Sequence, residues 1–496
     1  MRTTILAMAL LACVSTANGA DSRPNIILFL ADDMGQGDTS AYQDFTQNSN
    51  ASQVHTPTME RLAASGLRFT DGHSPAAFCN PTRISLLRGG RTVRTAEQFG
   101  TALPAMLKRS GYRTYGVGKW HVFFEKGQDF HASSPIKLCA LDFGFDHYTG
   151  TQHNITKSPA YHIDRVYQKY DANTKSLVPN DSKNAPGYGN PGGPIEFISQ
   201  QLWLNAARGY MNEHAAGADH ADQPFFLYYP SHANHNKLLP AADLDGVTVK
   251  GACKTADGRA LLSNRDSLRL DRSEMIYEND VAVRLLLKWL GETDDPRNPS
   301  EKMLANTMFI FSSDNGANEK ANLPANGRLS GSKGKIEEGG HREPFIVSWS
   351  GRIPAGVTSS AQISLLDMFA TLAAVAGEEL ADDEAVDSFN MLDTFLHPDT
   401  AKPRPKGIYA AQALRPTHLM IRDGDFKIVW ETTKPLKFTG LYNLRKDLGE
   451  SRNLLGSPEF AQIEKKLKRQ ARAFLKDGRS RPRAGAASEH SEESGV

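Results

Sequence analysis

The segment Phe78-Cys79-Asn80-Pro81-Thr82-Arg83 sets a lone thiol four residues before a guanidinium. Pro81 suits a first helical residue and Asn80 a cap, and Ile84, Leu86 and Leu87 can pack inward. The spacing therefore predicts a helix with Cys79 at its positive end and Arg83 pointing back toward the thiol. A cation in a first turn opposes the helix dipole, so an anion should compensate Arg83. The other candidates follow apolar runs: Asp32 and Asp33, Lys119 and His121, His232, and Asp314 with Asn315. Three carboxylates and an amide oxygen are hard ligands, suited to Ca²⁺ or Mg²⁺ rather than to a soft metal.

Elements able to bring these groups together are legible along the chain. Ile26 to Leu30 is a continuous apolar run of strand length, expected to be buried on both faces, and Asp32-Asp33 at its end would repel unless a cation neutralised them. Tyr112 to Val117, Phe225 to Tyr229 and Thr307 to Phe311 read as further strands. Helices are expected after Thr56, from Thr101 to Ser110, from Ile195 to Asn212, from Met275 to Leu290 and from Ser364 to Ala376. The weakly patterned stretches Phe123 to Pro194 and Leu238 to Ser273 read as long loops. Strands alternating with helices predict an α/β fold with a large, mostly parallel central sheet. Its strand ends lie along one edge, where ligands bind. Beyond about Arg404 the units shorten into hairpin-like strands with a closing helix from Pro458 to Phe474, a smaller antiparallel α+β subdomain.

Cys79-Asn80-Pro81-Thr82-Arg83 followed by Leu86-Leu87 and Gly89-Gly90 resembles the signature of type I sulfatases, in the alkaline-phosphatase-like superfamily. Arg88-Gly89-Gly90-Arg91 departs from the family's usual Thr-Gly-Arg. Ala31-Asp32-Asp33, Gly118-Lys119-Trp120-His121, Ser313-Asp314-Asn315-Gly316 and the late Leu441-Tyr442-Asn443-Leu444 and Gly449 to Leu454 segments resemble further family blocks. The resemblance implies that Cys79 is oxidised to formylglycine, whose hydrate attacks the sulfur of a sulfate ester. It implies Asp32, Asp33, Asp314, Asn315 and position 79 as ligands of a divalent cation, most often Ca²⁺. Arg83 and Lys119 would steady the hydrate, while His232 and Lys333 would meet the sulfate and protonate the leaving oxygen. His121 would be the base that regenerates the aldehyde. His235 and Lys335 compete with His232 and Lys333 for those roles.

The 57 basic and 56 acidic residues nearly cancel, which gives no global field for nucleic acid. Residues 1–20 read as a secretory signal too short to span a bilayer, so a secreted or periplasmic protein is expected, with a lipoprotein anchor at Cys13 as the lesser alternative. The expected organisation is a catalytic domain over 21–400, a C-terminal subdomain over 401–477 and a disordered tail over 478–496. Cys139 and Cys253 could pair or stand apart. Expected partners are a sulfated small molecule or glycan and a formylglycine-generating or anaerobic sulfatase-maturating enzyme. Two alternatives stand: hydrolysis of phosphate esters or phosphonates on the same scaffold, and noncatalytic binding of sulfated glycans.

Overall fold

In the computed structural model the described residues are 22–46, 54–92, 101–122, 139–152, 161–179 except 172, 173 and 175, 199–235 except 218, 239–255, 267–318, and 325–483 except 414. The expected signal segment and residues 484–496 of the expected tail lie outside them. An 11-stranded sheet runs, from one edge, Val357–Ser359, Leu67–Phe69, Phe345–Trp349, Thr307–Ser313, Asn25–Ala31, Phe225–Pro230, Arg113–Lys119 and His147–Thr151, then three short strands. Phe345–Trp349 and two of the short edge strands run against the rest, so the sheet is mostly parallel.

The apolar runs become central strands because both faces are covered. From Asn25–Ala31, Ile27, Phe29 and Ala31 pack into one core, while Ile26, Leu28 and Leu30 pack into the other. Phe309 and Phe311 repeat the first set, and Met308 and Ile310 the second. Helices Ser199–Ala215 and Ser267–Glu292 contribute Trp203, Leu204, Val283 and Leu286 to the first layer. Helices Cys79–Arg88 and Met368–Ala376 contribute Leu86, Leu87, Phe369 and Leu372 to the second.

Several expected boundaries move. The Ser267–Glu292 helix starts eight residues before Met275, because the apolar residues of that stretch, Leu268 and Leu270, are two apart and give no helical periodicity. The stretch expected as loop from Phe123 contains four strands, His147–Thr151, Tyr161–Ile163, Val166–Asp171 and Ser176–Pro179. These are short and lie toward a sheet edge, where no continuous apolar run is needed. The Cys79 helix begins at Cys79 itself, so Pro81 is its third residue, and the Asn80 amide donates to His121 O at 3.0 Å instead of capping.

The C-terminal strands Ile408–Ala411, His418–Asp423, Phe426–Glu431 and Lys437–Asn443 form an antiparallel sheet closed by the Ala461–Lys476 helix. Ser480 and Arg481 donate backbone bonds to Val386 O. Cys139 and Cys253 are buried free thiols, not a disulfide. No helix among the described residues is long and apolar enough to cross a membrane.

Candidate active site

Strand register brings the predicted groups together. Ala31 pairs with Ser313 in parallel, so Asp32 and Asp314 leave the sheet side by side, and Asp314 N donates to Ala31 O at 3.0 Å. Leu30 pairs with Pro230, and Ser231 N donates to Leu30 O at 2.9 Å, which delivers the His232 loop to the same edge. Lys119 ends the next strand over and pairs with Thr151. The Cys79 helix starts in front of these ends with its thiol only 1% exposed.

Arg83 finds the anion it requires. Its Nε and Nη2 donate to Asp314 Oδ2 at 2.9 and 2.6 Å, and Nη1 donates to Lys119 O at 2.8 Å. Lys119 Nζ donates to Asp32 Oδ2 at 2.6 Å. Lys333 Nζ and Asn315 Nδ2 both donate to Asp33 Oδ1, the amide at 2.8 Å. Asp32, Asp33, Asp314 and Asn315 are wholly buried. Burial would raise Asp32, but Lys119 and its neighbouring cations hold it well below the usual carboxylate range. Asp314 behaves oppositely: burial and the adjacent Asp32 push it up to about 6. Burial also pushes up the Cys79 thiol, so an unmodified Cys79 is a poor nucleophile at neutral pH.

The oxygens left over fit a cation. Asp32 Oδ1, Asp33 Oδ2 and Asn315 Oδ1 are buried without a hydrogen-bond partner, an arrangement that costs free energy unless something positive satisfies it. Ligand atoms of Asp32, Cys79 and Asp314 lie within 4.8 Å of one another. The donor set of carboxylates and one amide oxygen is that of a hard divalent ion. Three carboxylates already face Arg83, Lys119 and Lys333. Adding a divalent ion would therefore leave the site positive, matched to an anionic ester.

The structure gives the two lysines and the two histidines different surroundings. Lys335 is exposed, whereas Lys333 is turned inward, with its side chain 10% exposed. Its Gly/Ser segment is pinned by Lys333 N to Ala317 O at 2.9 Å and Gly334 N to Ala77 O at 2.7 Å. His232 Nδ1 accepts from Trp203 Nε1 at 3.3 Å, which assigns the proton to Nε2, 3.0 Å from Thr151 Oγ1. Burial and Lys119 hold His232 well below the usual imidazole range, so it is neutral. His235 stands nearer the acids: its ring lies within 4.8 Å of ligand atoms of Asp32 and Asp33.

Residues that sequence reasoning passed over hold the backbone. Asn234 Nδ2 donates to Asp33 O at 2.9 Å and to Asp32 O at 3.3 Å, and Arg272 Nη2 donates to Asp33 O at 3.1 Å while its fork binds Asp38. Asn234 follows a strand end, a position that could have flagged it; Arg272 lies in a helix and carries no such signal. Asp33, His121 and Asn234 all have positive φ, at 52°, 49° and 82°. Left-handed conformations at non-glycine residues concentrate where surrounding structure imposes them.

Residues 24–378 match the sulfatase family model. The chain is 28% identical to human arylsulfatase A over 90% of this chain and 87% of that one. It is 26% identical to an N-acetylgalactosamine-6-O-sulfatase of Bacteroides thetaiotaomicron over 89% and 91%. Among solved structures, a sulfatase from glycosaminoglycan metabolism of Bacteroides thetaiotaomicron superposes with TM-score 0.68 at 22% identity, covering 92% of this chain and all of that one. A structure in complex with its substrate D-glucosamine-2-N,6-O-disulfate superposes with TM-score 0.62 at 18% identity, over 92% and 98%. With the family model spanning most of the chain, this protein belongs to the sulfatase family and is a sulfuric ester hydrolase on the alkaline-phosphatase-like fold.

Proposed function

We propose that the chain removes sulfate from a sulfated carbohydrate after Cys79 has been converted to formylglycine and a divalent cation, Ca²⁺ by preference, has bound. The observation that carries this reading is the convergence of three partnerless buried oxygens with Arg83, Lys119 and Lys333 around position 79. The carbohydrate follows from what the relatives are named for and from the sulfated glucosamine bound to a structural neighbour.

When present, the cation supplies positive charge to the sulfate oxygens and formylglycine supplies a hydrated aldehyde as nucleophile. Asp32, Asp33, Asp314, Asn315 and position 79 are the residues that would hold the ion. Arg83, fixed on Asp314, and Lys119, fixed on Asp32, flank position 79. Lys333 meets the sulfate; burial disfavours its charge, but Asp33 holds it well above the ordinary lysine range, so it arrives protonated and can serve the leaving oxygen. His232, with its Nε2 proton, orients rather than carries charge. His121 takes up the proton needed to restore the aldehyde. Secretion and maturation by a formylglycine-generating or anaerobic sulfatase-maturating enzyme complete the proposal.

The test is peptide mass across Cys79 in protein co-expressed with a formylglycine-generating system, with turnover of 4-nitrophenyl sulfate and 4-nitrophenyl phosphate and a Cys79→Ala control. Conversion to the aldehyde with sulfate turnover lost in the control is expected. Faster phosphate than sulfate turnover would sink the reading in favour of a phosphoester hydrolase. An unconverted thiol with retained binding of sulfated glycan would replace it with a binding protein.

A further inference from the structure

Beside the catalytic constellation a second feature opens on the same edge of the sheet. A cleft of about 1210 Å³ lies between the main sheet and the C-terminal sheet. Thr70 and Asp71, just past the Leu67–Phe69 strand, and Ser359 to Gln362, at the end of Val357–Ser359, form one wall; Arg422 to Asp425 and Leu444 to Gly449 form the other. The Leu67–Phe69 strand is separated from Thr307–Ser313 by one strand and runs in the same direction. With neighbouring strands ~4.8 Å apart, its end lies roughly 10 Å from the end that bears Asp314.

The cleft is electropositive in a way its own acids do not offset. Eight cationic side chains line it against four aspartates. Arg404 is held by Asp367 at 2.8 Å, while Arg342 and Arg422 are held by Glu338, each at 3.2 Å. Arg445 has only a loose pair with Asp425 at 3.8 Å. Arg328, Lys402, Lys406 and Lys446 have no carboxylate partner among the described residues. Of the lining acids, Asp71 is taken by Arg422 and Arg342, and Asp423 by Lys466 at 2.9 Å. Arg328 and Arg342 lie over the same ring, Phe45, at 4.8 and 5.3 Å from its centroid. Burial and the nearby Arg342 charge both disfavour the Arg328 cation, which an anion in the cleft would offset. Gln470, also on the wall, has a buried Oε1 without a hydrogen-bond partner, an acceptor for a hydroxyl.

We propose that this cleft binds further anionic groups of a sulfated glycan chain whose target ester occupies the Cys79 site. The cleft takes the sulfates or carboxylates of neighbouring sugars, and the walls' amides and hydroxyls meet sugar hydroxyls. Its cations are mostly exposed, so they add affinity for a polyanion by screened attraction and depend on salt. The inference rests on the proposed action on sulfated carbohydrate. It makes the enzyme selective for chains with more than one anionic group over a lone sulfated monosaccharide.

The experiment uses the whole protein and titrates a sulfated dextran oligosaccharide, unsulfated dextran of the same length and a single-stranded DNA oligonucleotide by calorimetry. It compares wild type, R328A/K402A/K446A and the charge-conserving R328K/K402R/K446R. Expected is at least a tenfold rise in Kd for sulfated dextran in the alanine variant, near-wild-type affinity in the charge-conserving one, and kcat/KM on 4-nitrophenyl sulfate within twofold throughout. Unchanged Kd in the alanine variant, equal loss in the charge-conserving variant, or equal affinity for unsulfated dextran overturns the proposal. DNA bound as tightly as sulfated dextran does the same, since the cleft then takes polyanions irrespective of the sugar. Failure of the converted wild type to turn over 4-nitrophenyl sulfate would strike the catalytic reading while leaving the binding comparison intact.

Discussion

Two lysines two residues apart in one loop are given opposite fates, and the difference is where each side chain finds an anion. Lys333 reaches Asp33 and stays charged, whereas Lys335 is exposed. Lys333→Ala should therefore lower kcat/KM on an aryl sulfate by ~10²–10⁴, the range for a positioned acid, while Lys335→Ala stays within twofold; steady-state kinetics on the two variants decides it. The orphaned oxygens of Asp32, Asp33 and Asn315 give a second expectation. Removing divalent ions with EDTA should lower the thermal midpoint and returning Ca²⁺ should restore it, because an ion at 100 times its Kd stabilises by about 2.7 kcal/mol. Asn315→Ala should shrink that response in differential scanning fluorimetry. A midpoint indifferent to EDTA and Ca²⁺ in the wild type would argue against a cation among these residues.

At the scale of elements, the Cys79 helix ends on a left-handed glycine. Gly89 ends it with φ 59°, and a Cβ there would lie 2.6 Å from Ala385 Cβ. Gly377 ends the Met368–Ala376 helix with φ 70° and has open space around it. Both substitutions by alanine incur the left-handed penalty, but only Gly89→Ala also overpacks. Gly89→Ala should thus cost about 1–3 kcal/mol more than Gly377→Ala in urea unfolding; equal costs would show that the Ala385 contact yields freely. The C-terminal sheet is fixed to the catalytic unit by comparable specificity. Glu338, beside the loop that carries Lys333, takes Lys427 at 3.1 Å and Arg422 at 3.2 Å, and its backbone N–H donates to Glu450 at 2.6 Å. Glu450 therefore braces the segment next to the loop that carries Lys333.

Across the whole molecule, acid stability carries a contribution remote from the chemistry. His162 is buried against Tyr148, and desolvation pushes it down to about 4. The unfolded chain takes up this proton near the ordinary value of about 6.5, so stability is lost as pH falls from there toward 4, by about 3 kcal/mol in all. Asp280, pushed up to about 6 by burial, acts with the opposite sign over the same range. The urea midpoint of His162→Gln should accordingly fall less on acidification than that of the wild type, and parallel pH profiles would refute the assignment. The sequence alone determined the strand runs, because a strand covered on both faces must be apolar throughout, as in Ile26 to Leu30 and Phe225 to Tyr229. It also determined the family, because the Cys79 to Arg83 motif and the strand-end acids are local in the chain. Only the tertiary structure turned Lys333 inward and left Lys335 exposed, tied His232 to Thr151 and Trp203, brought His235, Asn234 and Arg272 to the metal-ligand candidates, and left Cys139 and Cys253 apart. Those choices depend on register between strands distant in sequence and on which buried charge meets which. Neither leaves a local periodicity to read.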